Sequence, residues 1–182
     1  MPLKRKVKDR MIPIKNYSTI APDATLREAV RSLRTSYCEL ETGMCTEAGP
    51  RTVMVVDANG KLAGILDFNN FLVTLIPEIA GGLSAKLEAL GVSIAFAQAD
   101  AASLDEARQG FKARVIKNAD TIVRDIMMKI KGTIDADDSL MAGLKKMFRN
   151  KIIVLPVYEN DKLVGVLRDT DFFLAVTDVL EE

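Results

Sequence analysis

Two kinds of hydrophobic pattern run along the chain, and they occur twice in the same order. One pattern places apolar residues at i, i+3, i+4 and i+7, which predicts an amphipathic helix. It is formed by Leu26, Ala29, Val30 and Leu33 in the first copy, and by Leu140, Gly143, Leu144 and Met147 in the second.

Local signals mark the start of each predicted helix. Thr25 is followed three residues later by Glu28, the order of a capping box, and Ser139 stands before the second helix as an N-cap residue. A short β-type pair precedes each helix: Thr19-Ile20 in the first copy and Thr133-Ile134 in the second.

The other pattern is an apolar run, a turn rich in Asn, Asp or Gly, and a second apolar run. Residues 53–66 (VMVVDANGKLAGIL) and 155–167 (LPVYENDKLVGVL) both have it, and it is typical of a β-hairpin. Each hairpin leads into an apolar stretch long enough for a helix, FNNFLVTLI or DTDFFLAVTDVL. The predicted fold is α/β (α+β), with a strand-helix-strand-strand-helix unit present twice.

The spacing of equivalent residues predicts the domain organisation. The offset falls from 114 (Thr19 to Thr133) to 102 (Val55 to Val157), so the first copy carries an insert at about residues 34–50. We predict a first repeat at 1–75, a helical connector at 76–119 and a second repeat at 120–182. Within the connector, a capping-box order at 103–106 (SLDE) indicates the start of a helix.

Composition narrows the classes of function. The 25 basic and 25 acidic residues cancel, so the chain lacks the broad positive field that nucleic-acid binding needs. No apolar run approaches the roughly 18–20 residues of a membrane span. Histidine, the commonest general base and metal ligand, is absent. We therefore predict a cytoplasmic protein that is not an enzyme, has no catalytic or metal site, and binds neither nucleic acid nor membrane.

In their order, spacing and duplication these motifs resemble a tandem pair of cystathionine-β-synthase-type domains (CBS domains, or a Bateman module) of the stand-alone bacterial type. The matching stretches are VKDRM, STIAPDATLREAV, VMVVDANGKLAGIL and DFNNFL in the first copy, and VRDIMMKIKGTIDADDSL and VLPVYENDKLVGVLRDTDFF in the second. The resemblance implies that the repeats pack through their sheets about a pseudo-twofold axis, with two clefts between them. It also implies an adenosine-containing ligand, no obligatory cofactor, a homodimer and a separate protein effector.

The resemblance points to one better cleft, in which Asp171 matches the ribose-binding aspartate of the G-x-x-[ST]-x-x-D pattern. Arg168 stands where that pattern has Ser or Thr, and a guanidinium there can form forked bonds with a phosphate. Each cleft of the family uses both repeats. The residues expected here are Thr19, Ile20, Thr52, Val53, Met54, Val166, Arg168, Thr170 and Asp171.

Simpler roles remain open for these residues. Asp171 is also placed to cap a helix, and Arg168 to bridge Asp169 or Asp171 on the surface. Thr170 either contacts the ligand or starts the helix, and the strand residues are equally suited to an ordinary core.

The second cleft departs from the pattern, because Asp67 and Asn70 occupy the positions of Arg168 and Asp171. Asp67 would repel a phosphate, and Asn70 offers one carbonyl oxygen where an aspartate offers two. We expect this cleft to be empty, weak or selective for another ligand. Its residues would be Thr133, Ile134, Val154, Leu155, Asp67 and Asn70.

The main hypothesis is a regulatory module that binds AMP, ADP, ATP or S-adenosylmethionine in the better cleft and signals to a separate partner. One alternative is a structural or protein-interaction module with vestigial clefts. Another is a thiol redox sensor that uses Cys38 and Cys45, although a reducing cytosol favours two free thiols.

Overall fold

The structure, a computed structural model, describes residues 5–37, 51–77 and 101–180. It confirms the predicted α/β fold with two similar units. The first unit consists of β2 (Thr19–Ile20), α1 (Leu26–Tyr37), β3 (Thr52–Val56), β4 (Leu62–Asp67) and α2 (Phe68–Leu75). The second consists of β5 (Ile134–Asp135), α5 (Leu140–Asn150), β6 (Val154–Glu159), β7 (Lys162–Arg168) and α6 (Asp169–Leu180). Outside them lie β1 (Ile12–Pro13), α3 (Ala101–Asn118), α4 (Val123–Ile126) and 3-10 turns at Val7–Asp9 and Ile14–Asn16.

Each unit builds its own sheet, with the order β2-β3-β4 in the first and β1-β7-β6-β5 in the second. The short strand before each helix is parallel to the first hairpin strand, and the two hairpin strands are antiparallel. In the second hairpin, Asn160 and Asp161 both have positive φ, of 49° and 62°, as a tight two-residue hairpin turn requires.

The predicted starts of α1 and α5 agree with the structure. The backbone N–H of Thr25 donates to the Glu28 carboxylate at 2.7 Å, and the Glu28 N–H donates to the Thr25 hydroxyl at 3.3 Å, so the capping box is formed. The Ser139 hydroxyl accepts from the Ala142 N–H at 3.2 Å. Such caps satisfy N–H groups that have no partner within the helix.

Strand alternation divides the apolar side chains among three cores. Along β3, Val53 and Val55 join a core with α1 and α2 of the first unit, and along β6, Leu155 and Val157 join the matching core of the second. Successive strand side chains point to opposite faces. The residues between them therefore meet across the two sheets, in a third core that contains Tyr17, Met54, Leu62, Ile65, Val154 and Val166.

A segment that precedes each unit crosses to the sheet of the other. β1 pairs with β7 through Ile12 and Val166, and Met128 forms the equivalent bridge to Ile65 of β4. Before β1, Lys6 and Lys8 both contact Oδ1 of Asp137, at 2.7 and 2.8 Å. Their hydrogen bonds and charges lower the pKa of Asp137 to about 2.

Three details of the sequence interpretation need correction. The second short strand is Ile134–Asp135, one residue later than the pair predicted. Ser103 is not an N-cap, because α3 is already helical at Ala101. Asp171 does not begin α6, which starts at Asp169.

Cys38, Cys45 and most of the predicted insert lie outside the described residues, as does part of the connector. Across the three described ranges, no helix has both the length and the apolar character that a bilayer crossing requires.

Candidate functional site

Two clefts open between the units, and Thr52 and Val154, which hold equivalent positions in β3 and β6, line both of them. Cleft A has a volume of about 420 Å³ and is lined by Tyr17, Arg51, Thr52, Ile153, Val154, Arg168, Asp169, Thr170, Phe173 and Leu174. Cleft B has a volume of about 220 Å³ and is lined by Thr52, Ile65, Asp67, Met128, Lys129, Lys131, Gly132, Lys151, Ile152, Ile153 and Val154.

Cleft A brings together only part of the predicted set. Thr52, Arg168 and Thr170 line it. Asp171 is not among the lining residues, and the other predicted residues also lie elsewhere. Strand alternation accounts for Val53, which follows Thr52, but not for Met54 and Val166, which share a strand face with Thr52 and Arg168. Val53 and Ile20 pack in or against the first unit's core, Met54 and Val166 lie in the core between the sheets, and Thr19 is exposed.

Arg168, at the wall of cleft A, forms a close ion pair with Asp171, which does not itself line the cleft. The Arg168 backbone N–H donates to Oδ2 of Asp171 at 2.7 Å, Nη2 donates to Oδ1 at 2.7 Å, and Nε lies 3.3 Å from Oδ2. The Asp171 side chain is 6% exposed and that of Arg168 is 22% exposed. In this arrangement Arg168 takes the bridging role that the sequence left open.

The ion pair also explains how a partly buried arginine remains charged. Burial alone would lower the pKa of Arg168, but the hydrogen bond and the charge of Asp171 outweigh burial and raise that pKa above its ordinary value. The guanidinium is therefore a permanent cation at the edge of cleft A, and both oxygens of the Asp171 carboxylate already accept hydrogen bonds from it.

Tyr17 and Arg51 belong to cleft A but were missed from the sequence. Tyr17 is buried, and its hydroxyl lies 2.5 Å from Oγ1 of Thr52, so the two side chains hold one wall together. Arg51 is exposed, with its guanidinium carbon 5.9 Å from the centre of the Phe68 ring. The sequence offered one hint of a role for Tyr17 in the cleft: it lies two residues before the predicted β pair Thr19-Ile20.

Only some of the residues predicted for cleft B line it. Asp67 and Val154 line it, while Ile134 and Leu155 are buried in the second unit's core. Thr133 is exposed and its carbonyl accepts from Lys146 Nζ at 2.6 Å.

Asn70 does not line cleft B, because its side chain is hydrogen-bonded at the start of α2. Its side-chain oxygen accepts from the Asp67 N–H at 3.1 Å, and its own N–H donates to the Asp67 carboxylate at 2.9 Å. Asp67 and Asn70 thus form a complete capping box.

Comparison with known proteins identifies the architecture. A family model of the CBS domain matches residues 7–75 and 123–178, and no curated protein matches the sequence.

Among solved structures, a putative acetoin utilization protein (AcuB) from Vibrio cholerae is 22% identical with a TM-score of 0.60, covering 98% of this chain and 95% of that one. A CBS domain-containing protein of unknown function from Bacillus anthracis is 14% identical, with a TM-score of 0.61 and coverage of 97% and 95%. CBSX2, solved in complex with AMP, is 18% identical, with a TM-score of 0.58 and coverage of 96% and 97%. The fold agrees with these proteins over nearly their whole length, and the matched segments show that the chain belongs to the CBS-domain family, with two copies of the domain.

Proposed function

We propose that the protein is a non-catalytic regulatory module that senses an adenine nucleotide in cleft A. The observation that carries this proposal is the Arg168–Asp171 pair, which places a buried carboxylate and a permanent cation side by side at the first turn of α6. A ribose diol and a phosphate are the complementary groups, and AMP carries both on one ribose. The AMP bound to CBSX2, a protein of the same fold, supports the choice of ligand class.

The proposed roles require the pair to rearrange. A carboxylate accepts about four hydrogen bonds, and Arg168 supplies three of the contacts to Asp171. When the ribose hydroxyls bind to Asp171, the Arg168 side chain turns toward the phosphate and leaves the backbone N–H in place. The two side-chain bonds between Arg168 and Asp171 are thus exchanged for bonds to the ligand, and both residues stay paired.

The walls of cleft A suit an adenine ring. Ile153 and Val154 offer branched aliphatic surface, and Tyr17 adds an aromatic ring to the same lining. Thr170, exposed at the first turn of α6, is available to the phosphate. The positive end of the α6 dipole favours an anion there.

Signalling in this proposal is a shift of population. A ligand that binds one arrangement of the two repeats stabilises it by about 2.7 kcal/mol at a hundredfold excess over Kd. We further propose that the output passes through a homodimer to a separate protein effector.

The homodimer contact would use the apolar surface of α5 and α6. This surface includes Met141, Phe148, Phe173, Leu174 and Val176, which are between 37% and 78% exposed. A groove of about 610 Å³ lies beside the Phe148 and Phe173 rings. In a twofold dimer both copies use the same patch. An exposed ring of one copy would therefore fill the groove of the other, and the reverse contact would form at the same time.

Calorimetry with AMP, ADP, ATP and S-adenosylmethionine tests the nucleotide proposal. We expect at least one of them to bind, and Asp171→Ala to weaken it by about ten- to a hundredfold, the magnitude of a charged hydrogen bond. Asp171→Asn keeps one acceptor for the Arg168 N–H and should fold normally while losing part of the affinity. Asp125→Ala, at an exposed acid on α4, is the matched control.

Two results would count against this function. If none of the four ligands binds below about millimolar, the chain is better explained as an interaction module with vestigial clefts. If a ligand binds but its affinity is unchanged in a folded Asp171→Ala variant, cleft A is not the site.

A further inference from the structure

Cleft B has a positive lining that was not predicted from the sequence. Of the described residues that line it, Lys129, Lys131 and Lys151 are basic, while Asp67 alone is acidic. Within the part of the chain that the structure describes, none of the three ammonium groups forms an ion pair. The expectation that Asp67 would make this cleft repel phosphate therefore misses the larger, opposite charge around it.

The backbone brings these lysines into the lining of cleft B. Lys129 and Lys131 flank Ile130, which packs against the core between the sheets, so in an extended segment both lysines project away from that core. Asn150 Nδ2 donates to the Lys131 carbonyl at 3.0 Å. Because Lys151 follows Asn150 directly, this bond places Lys131 and Lys151 beside each other.

Lys151 occupies a backbone position that favours glycine. It ends α5 with φ 52° and ψ 51°, in the left-handed region. Glycine or asparagine is the usual residue at such a helix end. A lysine here adds a charge to cleft B at some cost in backbone energy.

Asp67, the single acid among the described lining residues of cleft B, already accepts a hydrogen bond. The Asp67 carboxylate accepts the Asn70 N–H at the start of α2, at 2.9 Å, where the positive end of the helix dipole offsets part of its charge. Cleft B therefore has an excess of positive charge over the one carboxylate in its described lining. Cleft A differs, since its Arg168 is neutralised by Asp171.

We propose that cleft B binds a condensed phosphate, a pyrophosphate or triphosphate group, through Lys129, Lys131 and Lys151. Its volume of about 220 Å³ lies below the roughly 300–1,000 Å³ typical of sites for larger organic ligands, which favours a compact anion. The proposal goes beyond nucleotide sensing in cleft A and does not depend on it. The phosphate group is either a free oligophosphate or the tail of a nucleoside triphosphate, because the clefts share Thr52, Ile153 and Val154.

Calorimetry of the full chain with sodium tripolyphosphate at low ionic strength provides the test. We expect one site per chain, weakened about tenfold by Lys131→Ala, as loss of a charge-assisted contact predicts. Because these lysines are exposed, added salt should also weaken binding. Lys162→Ala, an exposed lysine at the start of β7, is the matched control and should bind normally.

Lys151→Gly separates loss of the site from loss of the fold. It removes the charge but suits the left-handed backbone, so the melting temperature should stay the same or rise while tripolyphosphate binding falls. Failure of tripolyphosphate to bind overturns the proposal, as does equal binding by wild type, Lys131→Ala and Lys151→Gly.

Competition identifies the source of the phosphate and keeps the two clefts distinct. Displacement of tripolyphosphate by ATP but not by AMP supports a nucleotide tail, and no displacement by either supports a free oligophosphate site. Displacement by AMP would place tripolyphosphate in cleft A and overturn the proposal. A chain that binds AMP but no tripolyphosphate refutes the cleft B proposal alone. A chain that binds tripolyphosphate but none of AMP, ADP, ATP and S-adenosylmethionine refutes nucleotide sensing alone.

Discussion

Arg168 and Asp67 hold equivalent positions, each the residue before the second helix of its repeat, and they act in opposite ways. Asp67 caps α2 by accepting an N–H, whereas Arg168 has no acceptor to offer α6. Asp169 partly replaces that cap by accepting the Thr170 N–H at 2.8 Å. Losing an N-cap acceptor costs about 1 kcal/mol. The second repeat therefore carries a cation at the cleft in place of a helix cap.

The exchange proposed for Arg168 predicts a change in selectivity. Arg168→Ala should weaken AMP binding by about tenfold, because a forked phosphate contact is lost. Adenosine binding should be unchanged or tighter, because Asp171 keeps the backbone N–H and gains free acceptor capacity. Calorimetry with AMP and adenosine measures both affinities.

Arg124→Ala, at an exposed arginine on α4, is the control for general loss of charge and should leave the ratio of the two affinities unchanged. If Arg168→Ala weakens AMP and adenosine by the same factor, Arg168 does not contact the phosphate.

The sequence predicted the residues of cleft A correctly only where the local pattern determines which way a side chain points. Arg168 and Thr170 follow directly on a recognisable strand, and the structure places both at the cleft; their binding roles stay predictions. Val53 and Leu155 turn toward their own cores, because a strand side chain faces the opposite way from its neighbour. Lys131 could not be predicted, since its position depends on a bond from Asn150, a residue on a different element.

At the scale of elements, the repeat was predictable and the crossing segments were not. Helices and hairpins follow from spacing and turn residues within about fifteen positions of each other. β1 is only two residues long, and it pairs with a strand more than 150 residues later, Ile12 with Val166. No local pattern encodes a contact of that range.

Two equivalent glycines allow the crossing segments to approach. A Cβ at Gly165 would lie 2.7 Å from the Ile12 carbonyl oxygen and 2.7 Å from Met11 Sδ. A Cβ at Gly64 would lie 2.7 Å from Met127 Sδ and 2.9 Å from the Met128 carbonyl oxygen. Met11 and Met127 therefore cover the same position of the two hairpins.

We predict that Gly165→Ala lowers the free energy of unfolding by about 1–3 kcal/mol, because a backbone carbonyl must move to admit the methyl group. Urea denaturation measures the change. Gly110→Ala is the matched control: among the described residues its Cβ would meet only the Arg114 side chain, at 3.6 Å, and replacing a helical glycine by alanine gains about 0.5–1 kcal/mol. Wild-type stability in Gly165→Ala would show that β1 does not pack closely on β7.

At the scale of the whole molecule, cleft A and the proposed dimer surface are continuous. Ile153, Asp169 and Phe173 line both the cleft and the groove of about 610 Å³. A ligand that moves the first turn of α6 would therefore also reshape the surface offered to a second copy. By linkage, a dimer that favours one position of this turn changes the affinity for the ligand by the same factor.

Phe148 provides the test of that arrangement, because it is 78% exposed and its replacement should cost the monomer little stability. We predict that Phe148→Glu converts a dimer of the wild-type chain to a monomer in sedimentation analysis, since twofold symmetry brings the new charge into the apolar contact twice. Phe111→Glu, at a 44% exposed phenylalanine on α3, should leave the dimer intact. If the dimer survives Phe148→Glu but dissociates in Phe111→Glu, the contact between copies lies on α3 instead. The signal from cleft A to the partner would then also pass through α3.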